Sequence, residues 1–230
     1  MTDFSNENIL AIDCSGKELN LGLRYGDDRM VKLSIEASRS HGQLIIEKIS
    51  DLLKSAEIKV EQLRALVVST GPGSFTGLRI ALAAAKGMAT ALNIPAVGVS
   101  LFEIAAFKLS NTEQAVTVIV PFKRDSVFAG EVKSGEFNDS SIRVVAIHEF
   151  QEDLSGLEVV SCGFDQEKIP VEVKTVVSAG SVSFDTADLL QIGFEKLKKG
   201  EVSDLADLEP LYVQKSQAEI NFEQAQRDRN

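Results

Sequence analysis

An apolar run ending in an acid, Ile9 to Asp13, is followed by two stretches that alternate apolar with polar or small residues, Leu19 to Leu23 and Met30 to Ile35. With the turn Gly26-Asp27-Asp28 between the last two, the pattern predicts a three-stranded antiparallel meander. The rhythm returns about a hundred residues later as Val116 to Val120, Val127 to Val132 and, after a turn at Gly135 to Asp139, Ile142 to Ile147. That period is too long for a solenoid and predicts an internal duplication, two related lobes side by side. Helical spacing joins Leu44, Ile45, Ile49, Leu52, Leu53 and Ala56 within Gln43 to Ala56, with Ile46 off to the side of a wide stripe. Ala65 to Ser69 reads as a covered parallel strand, and Ile80 to Ala91 as an alanine-rich helix whose apolar side carries Leu78, Leu82, Met88 and Leu92. A strand at Ala96 to Val99 runs into Ser100-Leu101-Phe102-Glu103, a capping box whose helix should reach about Leu109. A later helix covers Asp185 to Lys199, with lysines in its last turn and Gly200 as its stop. The polar stretch Asn111 to Gln114 marks a boundary, giving an α/β protein with lobes over 1–110 and 111–213 and a polar tail, 214–230, expected to fray.

Composition narrows the function. The chain has 230 residues, 44% of them apolar and 25% charged, enough for a real core and unlike a disordered protein. A net charge of −10 argues against this chain gripping a nucleic acid backbone by itself, because such binding is dominated by phosphate neutralisation. Met1 to Asn8 is polar and acidic rather than a leader, and no apolar stretch is long enough to span a bilayer, so a cytoplasmic protein is expected. Cys14 and Cys162 are too few for a disulfide framework or a zinc site.

Candidate chemistry centres on the strand-to-helix junction Ala65 to Arg79, which passes through Gly71, Gly73, Ser74 and Gly77. A glycine-rich turn opening a helix can cradle an anion on unpaired first-turn amides. It equally serves as a structural turn that lets helix and strand pack closely. Leu78 and Arg79 stand where a P-loop needs lysine and a hydroxyl, and the glycine spacing misses the dinucleotide fingerprint. Asp13, at the carboxyl end of the first strand, is either a nucleotide or metal contact or a turn former capping the amides of Cys14 to Gly16. Its counterpart in the second lobe would fall near Pro121 and Phe122, where no carboxylate stands. Lys123, Arg124 and Asp125 form a polar loop there. The two histidines, His41 and His148, have no neighbour at ligand spacing, and Gly73-Ser74-Phe75-Thr76-Gly77 is not a nucleophile elbow. The helical surfaces offer a different role: a helix small almost all round (Ala81, Ala83, Ala84, Ala85, Gly87, Ala89, Ala91) beside a wide apolar stripe forms a docking patch, unless the fold itself buries both.

The run Ser69 to Arg79, with its Gly-Pro-Gly-Ser-Phe-Thr-Gly-Leu-Arg core, closely resembles the hallmark of the TsaB (YeaZ) family of bacterial tRNA threonylcarbamoyladenosine biosynthesis proteins. Supporting matches are Ile9 to Ser15, His41, Pro95 to Ser100 and Pro210-Leu211-Tyr212-Val213. The resemblance implies an ASKHA (actin/hexokinase/Hsp70-like) fold of two RNase H-like lobes. It also implies a noncatalytic scaffold that binds TsaD, the subunit transferring the threonylcarbamoyl group to the adenosine beside the anticodon. The resemblance further implies that TsaE joins the assembly, that tRNA is touched only through the complex, and that the protein is a homodimer when alone. The implied interface uses Leu44, Ile45, Lys48, Ile49 and Leu52 on one helix and Thr76, Ile80, Ala81, Ala84, Ala85 and Met88 on the other. No catalytic residue, metal or cofactor is expected, and whether a nucleotide sits at the joint with TsaD is left open by the sequence. A charge at Ala84 or Ala85 should then remove docking while leaving the monomer folded. Cys14, Glu47 and Pro121-Phe122-Lys123 depart from the family pattern, the last weakening any case for nucleotide chemistry. The alternatives within the same fold are a small-molecule kinase using Asp13 and the Gly71 to Gly77 turn, and a glycoprotease-like peptidase.

Overall fold

The computed structural model describes residues 7–36, 41–123, 125–138, 141–149, 157–163 and 181–211. The first sheet is built from β1 (Asn8–Asp13), β2 (Glu18–Tyr25), β3 (Arg29–Glu36), β4 (Leu63–Gly71) and β5 (Ala96–Ser100), in the order β3-β2-β1-β4-β5. β1, β2 and β3 pair antiparallel as the meander predicts, and β4 and β5 add in parallel through α1 (His41–Ser55) and α2 (Phe75–Leu92). The second sheet contains β6 (Val116–Lys123), β7 (Ser126–Lys133), β8 (Glu136–Phe137), β9 (Arg143–Ala146), β10 (Val159–Cys162) and β11 (Ser181–Val182). Its order is β11-β10-β6-β7, with β8 and β9 both paired to β7. Counted from the first strand of each sheet, both place a meander on one side and parallel strands on the other. This doubled order is the ASKHA arrangement of two RNase H-like sheets.

Period-two alternation assigns the first sheet's side chains to two cores. Leu10, Ile12, Leu66 and Val68 face α1 and α2, where they meet Ile45, Ile49, Leu52, Ala81 and Ala85. Ile9, Ala11, Ala65 and Val67 face the opposite way, toward α3 (Leu101–Lys108), α4 (Thr186–Lys199) and the second sheet. Strands covered on both faces have no polar side to display, which is why β1 and β4 read as continuous apolar runs. Although α4 comes late in the chain, it lies across β1, β2, β4 and β5 of the first sheet. Gly193 makes that approach possible, since a Cβ there would overlap the Val67 side chain. Lys196 of α4 donates to the Gly98 carbonyl at 3.0 Å and pairs with Glu103 of the α3 capping box.

The structure departs from the pattern in the second sheet. The stretch expected as one turn over Gly135 to Asp139 holds a tighter turn at Ser134 and Gly135, followed by β8, so the third strand position is shared by two short strands. β10 and β11 had no counterpart in the expectation. Tyr212, Val213 and the tail lie outside the described residues, as does Arg124.

Candidate functional site

Asp13 ends β1 with 1% of its surface exposed. Its carboxylate accepts from the Ser15 amide at 2.9 Å and from Asn20 Nδ2 at 3.2 Å. Burial pushes its pKa above the usual carboxylate range, while bonds from Ser15, Asn20 and Ser69 pull the other way. The carboxylate is thus spent on holding the Asp13 to Ser15 loop. That loop fits directly into the glycine turn. The Ser15 carbonyl accepts from the Ser74 amide at 2.7 Å, and a Cβ at Gly73 or Gly77 would overlap the Ser15 or Cys14 carbonyl. Ser74 caps α2, accepting from the Gly77 amide at 3.2 Å on its side chain and from the Leu78 amide at 2.8 Å on its carbonyl. Where an anion would sit, this chain places its own carbonyls, so the geometry supports the structural reading of Gly71, Gly73, Ser74 and Gly77.

At the matching end of β6, Phe122 packs on Phe128 with ring centroids 4.2 Å apart, an aromatic pair in place of a second acid. The phosphotransferase alternative needs an accessible Asp13 and an open cradle, and the described geometry engages both. Among the described residues no three His, Cys, Asp or Glu gather as a metal site. His148 is exposed beside Glu149, and the side chain of His41 lies outside the described residues. Cys14 and Cys162 are buried, and burial pushes each thiol up to about 12.

The α1–α2 surface is different in kind. Ile45, Ile49, Leu52, Ala81 and Ala85 of the implied interface are core residues with at most 3% of their surface exposed. The α1 stripe is wide because one side of it packs on β2, β3 and α2. A charge at Ala85 would therefore unfold the monomer rather than spare it. Leu44, Lys48, Ile80, Ala84 and Met88 are half-buried and Thr76 is exposed. Lys48 lies along this rim, bonded to Glu47 and Asp51 at 2.8 Å each, and these partners raise its pKa. Thr76, Ile80, Ala83, Gly87 and Ala91 recur at helical spacing along the outer side of α2, where Ala83, Gly87 and Ala91 are exposed. A Cβ at Gly87 would meet nothing within 4 Å among the described residues. On α1, Ile46 is 58% exposed. Composition flagged these small residues, but only burial distinguishes Ala83, Gly87 and Ala91 from Ala81 and Ala85.

A family model for the tRNA N6-adenosine threonylcarbamoyltransferase TsaD matches residues 35–156, more than half of the chain. A TsaB biosynthesis protein of Buchnera aphidicola subsp. Schizaphis graminum is 30% identical over 61% of this chain and 71% of its own length. The chain belongs to the TsaB (YeaZ) proteins of the TsaD family. The Escherichia coli TsaB protein is 28% identical over 91% of this chain and 96% of its own length. The solved YeaZ structure from Pseudomonas aeruginosa superposes with a TM-score of 0.69 at 22% identity, covering 90% of this chain and 99% of that one, which supports the fold. Among the described residues no helix is long and apolar enough to cross a membrane.

Proposed function

We propose that this chain is a noncatalytic scaffold in threonylcarbamoyladenosine synthesis on tRNA, docking a TsaD-type transferase on its α1–α2 face in the cytoplasm. The observation that carries the reading is the outer side of α2. Glycine inside an exposed helix costs about 0.5–1 kcal/mol relative to alanine, and among the described residues Gly87 has no neighbour that demands it. A small, apolar stripe flanked by Ile46 and Met88 suits close approach by another helix. The relatives' names place them in this pathway, and the match of this chain to a TsaD-type family model supports pairing with a transferase related to it. The charge of −10 leaves tRNA contact to the partner. TsaE would join the pair, and in its absence a second copy would cover the same face. The role needs no cofactor within this chain; any nucleotide would belong to the joint. Docking promotes transfer only by contacting the competent state of TsaD better than its other states.

Cells depleted of this protein and supplied with Ala83→Glu or Gly87→Glu should lose the modified adenosine, although the purified variants melt as the parent does. Normal modification by both variants would contradict the reading. Tight ATP binding by the isolated chain, with phosphoryl transfer lost in Asp13→Ala, would favour the kinase alternative.

A further inference from the structure

Among the described strands β5 is the last of the first sheet, with β4 on only one of its two edges. Alternate residues turn their backbone groups toward β4, as the Leu66 amide bonded to the Pro95 carbonyl at 3.0 Å fixes, so Ala96, Gly98 and Ser100 turn theirs to the other edge. A neutral, largely β-prone edge strand, Ala-Val-Gly-Val-Ser, is a template for pairing with another chain. Here it is closed without a further strand. The Ala96 carbonyl accepts from the Ser203 amide at 3.0 Å and the Gly98 amide donates to Ser203 Oγ at 3.1 Å. The Gly98 carbonyl accepts from Lys196 Nζ at 3.0 Å, and the Ser100 amide donates to Glu103 at 2.6 Å. The segment 201–211 that carries Ser203 follows this edge to Thr70, whose carbonyl accepts from the Leu211 amide at 2.8 Å. Leu208 anchors it: 4% exposed, it packs into the core beneath α1 and α2, against Gly98, where a Cβ would come within 2.8 Å of it. Lys86 of α2 adds a bond to the Ala206 carbonyl at 3.3 Å. Outward the segment shows Glu201, Asp204, Asp207 and Glu209, all exposed, and it contains no lysine or arginine.

We propose that residues 201–211, together with Lys196, guard the β5 edge against a second copy of this chain, and that opening the guard lets β5 of two copies pair antiparallel. A two-fold axis sets the same edge of each copy against the other, so one uncovered strand is its own complement. While the segment is seated it blocks that pairing twice over. Its side chains and Lys196 occupy the groups a second strand would need, and its four carboxylates oppose four more on an approaching copy. Gly98 serves the guard by leaving room for Leu208. The proposal is independent of the α1–α2 face and of what docks there.

The test uses the full chain carrying Gly87→Glu, which sets aside association through α2, and opens the guard with Leu208→Asp and Lys196→Met together. Sedimentation should show a monomer without these two changes and a dimer that grows with concentration with them. Hydrogen exchange locates the contact. In the dilute opened chain the Gly98 amide should exchange at least about ten-fold faster than in the guarded one, and it should slow again as the dimer forms, while α1 and α2 stay protected throughout. Leu208→Ala with Lys196→Met is the milder pair, expected to shift both readouts the same way by less, and it decides the matter if the first pair does not fold. An opened chain that stays monomeric at every concentration would overturn the proposal. So would a dimer in which Gly98 still exchanges fast, or a Gly98 amide that remains slow in the dilute opened chain.

Discussion

Gly77 lies against the Cys14 carbonyl, whereas a Cβ at Gly87 of the same helix would meet no atom within 4 Å among the described residues. Gly77→Ala should therefore destabilise the monomer by about 1–3 kcal/mol through forced displacement of the Cys14 loop. Gly87→Ala should stabilise it by about 0.5–1 kcal/mol. Denaturant unfolding of the two variants checks both signs. Asp13 adds a pH dependence. Its folded pKa lies above the ordinary 3.8, so its contribution to stability is fully present below that value and is lost as pH rises through the raised one. Asn at this position cannot ionise. The stability of Asp13→Asn relative to the parent should accordingly improve between about pH 4 and pH 7, as melting temperatures across that range would show. At this scale the sequence revealed that Gly73 and Gly77 were needed but not for what. Their neighbour is the Cys14–Ser15 backbone, distant in the chain, and no local pattern encodes that contact.

Helices were legible to within a few residues because their ends carry chemistry. Ser100 and Glu103 cap α3 reciprocally, and Asp185 and Gly200 bound α4. Short strands were not. β8 and β11 contain two residues each, too few for alternation to register, and β10 is only four residues, Val-Val-Ser-Cys, that a buried helix segment could equally supply. The docking of α4 onto the first sheet was also hidden, because it depends on Gly193 meeting Val67 and on Lys196 reaching Gly98 and Glu103. Lys196→Met keeps most of the side chain's bulk while removing both bonds. It should cost about 1–2 kcal/mol and raise hydrogen exchange in the last turn of α4, with α1 and α2 unaffected.

For the whole molecule, duplication was readable because the strand rhythm repeats, and the two sheets do share one order. What the rhythm could not resolve is which part of a wide apolar stripe the fold consumes. Ile45, Ile49 and Leu52 go inward with Ala81 and Ala85, while Ile46, Ala83, Gly87 and Ala91 stay outside. The proposed partner face is therefore narrower than the sequence suggests, and it is centred on α2. The most direct measurement is sedimentation of the purified chain mixed with its TsaD-type transferase, parent against Gly87→Glu. The account predicts a heterodimer for the parent and a folded, unassociated monomer for the variant; equal heterodimer formation by both would contradict it.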